Sequence, residues 1–172
     1  MSADAHRQAA QAHREQSDAH EGVYAGEVGD RQGALRPERH LAESQYHENV
    51  AEEHEAAAEA LEHFEATECR GIDPATRAQC PFRGHVAGVD EIARGARVHL
   101  LEGESPERAL AQMRCHVAFA RTQGRQGMPS CPLYLPGVDV RMAPDGRSID
   151  VTSDDASAVD EIRSRMRRHA VL

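Results

Sequence analysis

His40–Phe64 reads HLAESQYHENVAEEHEAAAEALEHF, and its histidines His40, His47 and His54 recur at every seventh residue. On a helix of about 3.6 residues per turn that spacing keeps all three on one face. The inner stripe continues as Val50, Ala57, Leu61 and Phe64, and the outer positions are dense in Glu. Pro37 suits a first helical turn, and Gly71 and Pro74 suit the far end, so the pattern predicts a helix over 37–68.

A second heptad triplet, His6, His13 and His20, lies upstream in a predicted helix over 3–22. If the two segments fold back about Gly29–Arg31, His6 faces His54, His13 faces His47 and His20 faces His40. The numbers of each pair have the same sum, so one hairpin brings all three pairs level, in layers roughly 10.5 Å apart. Gly22 through Arg36 carries four glycines, which suits an irregular reversal. The expected inner face of the first helix is Ala5, His6, Ala9, Ala12, His13, Gln16, Ala19 and His20, without one Leu, Ile or Val. Alanine favours helix, but alanine and histidine bury little apolar area, so something else must dock this segment.

Imidazole is the commonest protein ligand for transition metals, and two facing rings form half of a tetrahedral or tetragonal site. The pattern therefore predicts metal binding by His6, His13, His20, His40, His47 and His54, with copper or zinc first and nickel next. Glu15, Glu43, Glu48, Glu52 or water would complete each layer. Such open sites suit storage or sensing. Competing readings are a solvated face rich in His, or protonated His paired with Glu, as His54 with Glu53 and Glu55.

Residues 69–85 read as a connector holding Cys69 and Cys80. From 86 to 172 a ββα pattern occurs twice. Strands are expected at Val86–Ile92 and Ala96–Leu101, then a helix capped by Ser105 and Pro106 running to about Thr122. The second copy has strands at Val138–Met142 and Ser148–Thr152, then a helix capped by Asp154 or Asp155 running to about His169. Met113-Arg114-Cys115-His116 and Met166-Arg167-Arg168-His169 are matching strings. The expected fold is α+β: a long antiparallel helical hairpin (1–68), then a duplicated ββα domain (86–172) whose four-stranded antiparallel sheet carries two helices on one face.

The four cysteines show no zinc-finger spacing. One reading is two structural disulfides, Cys69 with Cys80 and Cys115 with Cys131, in an oxidising compartment. Another is a metal site of Cys115, His116 and Cys131 with His169. A third is a redox protein using Cys115 and Cys131. Cys115 and His116 point about 100° apart on a helix, so they cannot act as a pair with each other.

The chain has 172 residues, 29 acidic against 20 basic side chains and a net charge of −9, which excludes nucleic acid and anionic membrane as partners. No apolar run approaches bilayer length, and the leading segment is polar, unlike the core of a secretory signal. No phosphate loop, nucleophile elbow or H-E-x-x-H string occurs; His47-Glu48 is followed by Ala51 where a second His would stand. No turnover is expected. The expected partners are metal ions, a second copy through the hairpin, or an envelope protein. The alternative function is a disulfide-stabilised structural or interaction protein of the cell envelope.

Cys69-Arg70-Gly71-Ile72, Cys115-His116, Met128-Pro129-Ser130-Cys131-Pro132-Leu133 and Ser153-Asp154-Asp155 resemble a group of bacterial exported proteins and lipoproteins with a helical lead-in and a small mixed domain. The resemblance implies a periplasmic or otherwise extracytoplasmic home. It brings no activity, cofactor or catalytic residue with it.

Overall fold

A computed structural model describes residues 1–24 and 37–169, and the expected reversal at Gly29–Arg31 lies outside the described residues. The chain is α+β. Contacts divide it into two compact units, Met1–Glu62 and His63–Leu172.

The first unit is built from α1 (Ala3–Tyr24) and most of α2 (Pro37–Glu68), running antiparallel. Its buried residues differ from the expected inner face. Ala3, Ala10 and Ser17 of α1 and Ser44, Ala51 and Ala58 of α2 are the most buried, whereas Ala12, Gln16 and Ala19 are exposed. The seam thus alternates a layer of small residues with a layer of histidines. This is the a/d pattern of a coiled coil, with Ala or Ser at one position and His at the other. Every seventh small residue lets the backbones approach, which Leu in that position would prevent. Two interhelical ion pairs flank the seam at heptad spacing: Arg7 with Glu62 at 2.6 Å, and Arg14 with Glu55.

In the second unit the Arg70–Gly84 segment is less irregular than its composition suggests. Asp73 caps a short helix α3 (Pro74–Arg77) by accepting from the Ala75 N–H at 2.9 Å. Strands β1 (Val86–Ile92) and β2 (Gly95–Leu100) form the first hairpin; β3 (Asp139–Met142) and β4 (Ser148–Thr152) form the second. The sheet order is β1-β2-β4-β3, antiparallel throughout, with Val98 opposite Ile149 and Ala96 opposite Val151 at the central junction. Gly95 is required there, since a Cβ would stand 2.0 Å from the Val151 carbonyl oxygen.

Helices α4 (Pro106–Gln123) and α5 (Ala156–His169) cover one face. Ser105 caps α4 through the Arg108 N–H at 3.3 Å, and Asp155 caps α5 through the Ser157 N–H at 2.9 Å. Each helix lies chiefly over the other repeat's hairpin, α4 over β3 and α5 over β2. The matching strings place Met113 and Met166 in the core, both fully buried with Val98, Ile149, Val151 and Ile162. The opposite face carries charge across the strands, with Arg97 donating to both oxygens of Asp150 at 2.7 and 2.9 Å.

No large side chain could refill the space left by Ile149→Ala, so we expect about 2–5 kcal/mol loss of stability in the α+β unit, read by urea unfolding.

Candidate functional site

All three predicted histidine pairs form. The Nδ1 atoms of His6 and His54 are 3.0 Å apart, those of His13 and His47 are 3.1 Å apart, and those of His20 and His40 are 3.3 Å apart. At these separations a ring protonated on Nδ1 can donate to the unprotonated Nδ1 of its partner. An ion that binds nitrogen at about 2.0–2.1 Å places cis ligands roughly 2.8–3.4 Å apart, depending on whether the angle is square or tetrahedral. The observed separations fall within that span.

The layers are less isolated than expected. Ring centroids of His6, His54, His13, His47, His20 and His40 follow one another at 5.2, 5.8, 5.3, 5.5 and 5.6 Å. Two rings per layer, each spanning about half the 10.5 Å step, close the gaps and make a zigzag column. Burial first, and then the neighbouring His54 and the amino terminus, hold His6 below the usual imidazole range.

Only one layer gathers a third ligand. His20, His40 and Glu43 bring ligand atoms within 4.8 Å of one another, and among the described residues no other group of three does so. A Glu43 oxygen lies 3.3 Å from His20 Nδ1, and its other oxygen accepts from Arg39 at 3.2 Å. The expected help from Glu15, Glu48 and Glu52 does not materialise as such a group; Glu15 instead accepts from Gln11 at 3.0 Å. Glu55 and Glu62 of α2 are held by Arg14 and Arg7. The heptad successor of those arginines is Glu21, and at the third layer Arg39 pairs with Glu43 from within α2.

Sequence reasoning missed the small-residue layers. Ala3 with Ala58, Ala10 with Ala51, and Ser17 with Ser44 also have a constant sum, one larger than that of the histidines. The Ser17 hydroxyl lies 2.9 Å from that of Ser44 and donates to its carbonyl oxygen at 3.1 Å.

The cysteine pairing corrects expectation. Cys69, just past α2, is bonded to Cys115 on α4, so neither the Cys69–Cys80 nor the Cys115–Cys131 bridge forms. Nearness in sequence is a weak guide, because loop closure grows costlier only with the logarithm of length. With Cys115 committed, it serves neither as a thiolate ligand nor as a redox thiol beside Cys131. The 100° between neighbours on α4 gives Cys115 and His116 different partners, Cys69 and Cys131. His116 Nδ1–H donates to the Arg77 carbonyl oxygen at 2.7 Å, leaving Nε2 3.4 Å from Cys131 Sγ. Cys131 is fully buried, and its sulfur is 3.8 Å from that of half-buried Cys80, the thiol that sequence spacing had paired elsewhere. His169 also reaches this cluster: it interacts with the Cys80 thiol, and its Nδ1–H donates to the Arg165 carbonyl oxygen at 2.9 Å.

Comparison of the chain with family models, with curated proteins and with solved structures finds no match.

Replacing Ala10, 1% exposed, by Leu should force the helices apart at the central layers. We expect about 1–3 kcal/mol of destabilisation and lower helicity by circular dichroism. Burial lowers the pKa of His116 below its usual 6.5. Its contribution to stability is therefore present above that value and lost as pH falls through the lowered folded-state value. Urea unfolding should show the α+β unit less stable at about pH 5 than at pH 7, with a shallower dependence in His116→Gln.

Proposed function

We propose that the hairpin unit binds a transition metal reversibly, copper or zinc first and nickel next, with His20, His40 and Glu43 as principal ligands. The observation that carries this is the convergence of two imidazoles and a carboxylate from two helices. His13 with His47 and His6 with His54 are further two-nitrogen positions. The ligand set is open on its remaining sides, which suits exchange, hence storage or sensing without turnover. A metal also supplies docking energy to a seam of alanine, serine and histidine. The Cys69–Cys115 disulfide and the resemblance to exported proteins support an extracytoplasmic setting. No helix among the described residues is long and apolar enough to cross a membrane.

A second reading is an envelope interaction protein whose hairpin meets a partner or a second copy. Leu41 and Tyr46, 43% and 61% exposed on α2, favour it.

The test is titration of chelator-treated protein with Zn²⁺ or Cu²⁺, followed by calorimetry and thermal melting. Metal at a hundredfold excess over Kd should stabilise the hairpin by about 2.7 kcal/mol. His20→Ala and Glu43→Gln should each weaken binding by about tenfold or more, and exposed His63→Ala should leave it unchanged. Absence of any metal response, or equal loss in His63→Ala, overturns the reading in favour of the interaction protein.

A further inference from the structure

A cavity of about 490 Å³ opens beside the unused thiols, lined among others by Arg77, Cys80, Arg83, Met128, Cys131 and His169. That volume lies within the range of small-molecule sites, roughly 300–1,000 Å³. Its lining contains no Asp or Glu, although the chain carries a net charge of −9. Cys80 is accessible from the cavity, and Cys131 lies behind it, fully buried. A half-buried attacking thiol reachable from the cavity, backed by a buried partner at 3.8 Å and with an imidazole nitrogen 3.4 Å from that partner, is an arrangement suited to thiol–disulfide exchange.

We infer that Cys80 and Cys131 form a redox-active dithiol that exchanges with a small, carboxylate-bearing disulfide bound in this cavity, with Cys80 attacking and Cys131 resolving. The Cys80 thiolate attacks one sulfur of the substrate, whose S–S bond breaks and releases one thiolate, leaving a mixed disulfide on Cys80. Cys131 then passes its proton to His116 Nε2, and its sulfur attacks Cys80 Sγ. The second substrate thiolate departs and takes the proton from His116. Two electrons move from protein to substrate, giving a Cys80–Cys131 disulfide and two thiols. Two small thiols reverse the sequence and restore the dithiol.

The electrostatics agree with these roles. The hydrogen bond from Cys131, with help from the Phe82 backbone and His169, lowers the Cys80 thiol to about 6. The same pairing, and then burial, raise Cys131 well above the usual thiol range, so it needs a base to act. Arg83 and Arg77 supply positive charge for a substrate carboxylate, although Arg77 is also held by Glu65 at 3.1 Å. A metal fits the cluster less well. Cys80, Cys131, His116 and His169 form no group of three ligand atoms of the kind that His20, His40 and Glu43 form.

The test uses the full chain in glutathione buffers of graded oxidised-to-reduced ratio, with acid quenching, alkylation and mass spectrometry. Cys80–Cys131 should open and close with the ratio while Cys69–Cys115 stays closed. Cys131→Ser should accumulate glutathione on Cys80. Cys80→Ser should accumulate none on Cys131. His116→Gln should lengthen the lifetime of the mixed disulfide on Cys80 by tenfold or more. The wild-type measurement needs no variant, so a variant that fails to fold leaves the inference testable. A Cys80–Cys131 bridge unresponsive to glutathione would make it a second structural disulfide and overturn the inference. So would thiols that never form a mixed disulfide, or one equivalent of Zn²⁺ held by the reduced pair and lost in Cys80→Ser.

Discussion

Two helices can stand close enough for imidazoles to meet nitrogen to nitrogen only if nothing bulky separates their backbones. In this hairpin Ala3, Ala10, Ser17, Ser44, Ala51 and Ala58 occupy the close-approach positions, and all are buried. That constraint sets the separation of 3.0–3.3 Å between paired Nδ1 atoms. It also explains why the histidines form one column rather than three distant layers, since the rings fill the space between successive small-residue contacts. The seam buries little hydrocarbon, and its specificity comes from hydrogen bonds and flanking ion pairs, groups whose net contribution to stability is small. A ligand that bridges both helices would therefore change the hairpin's stability by a large fraction of the total.

The second unit is held differently. Its core is aliphatic and sulfur-rich, with Met113 entering from the middle of α4 and Met166 from the last turn of α5. Each helix leans on the other repeat's hairpin, so neither ββα copy buries its apolar face alone. The duplication is thus a single cooperative layer of helices on a sheet. The Cys69–Cys115 bridge ties the start of the connector to the middle of α4, and Cys115 lines one cavity together with the neighbouring Cys80 and Cys131 thiols. Adjacent residues Cys115 and His116 serve different neighbours, Cys69 and Cys131, because an α-helix turns about 100° per residue.

Local physics made much of this legible before any coordinates. Heptad spacing predicted the three histidine pairs, because facing residues of an antiparallel hairpin have a constant sum and a reversal about Gly29–Arg31 makes it the sum the histidines share. Period-two alternation and the turn residues around Arg94–Gly95 and Pro144–Gly146 marked the strands to within a residue. Ser105 with Pro106, and the pair Asp154–Asp155 of which Asp155 is the cap, marked the helix starts through their capping chemistry. Burial on α1 was misjudged, since the expected inner face took in Ala12 and Ala19 and left out Ala3 and Ala10. What distinguishes them is position relative to the partner backbone, which the small-residue heptad encodes and a hydropathy count does not.

By itself, the order of residues determined element type, the mirror register of the histidines and the antiparallel class of the sheet. Those depend on spacing within a segment or between two segments joined by one reversal. Only the tertiary structure decided the strand order, the crossing of α4 and α5 onto each other's hairpins, and which cysteine meets which. It also decided which acid meets His20 and His40: Arg7 and Arg14 pair with Glu62 and Glu55 across the seam, whereas Glu43 pairs with Arg39 on its own helix and reaches His20 through its other oxygen. Contacts between distant segments are set by packing of whole faces, and chain separation constrains them only weakly.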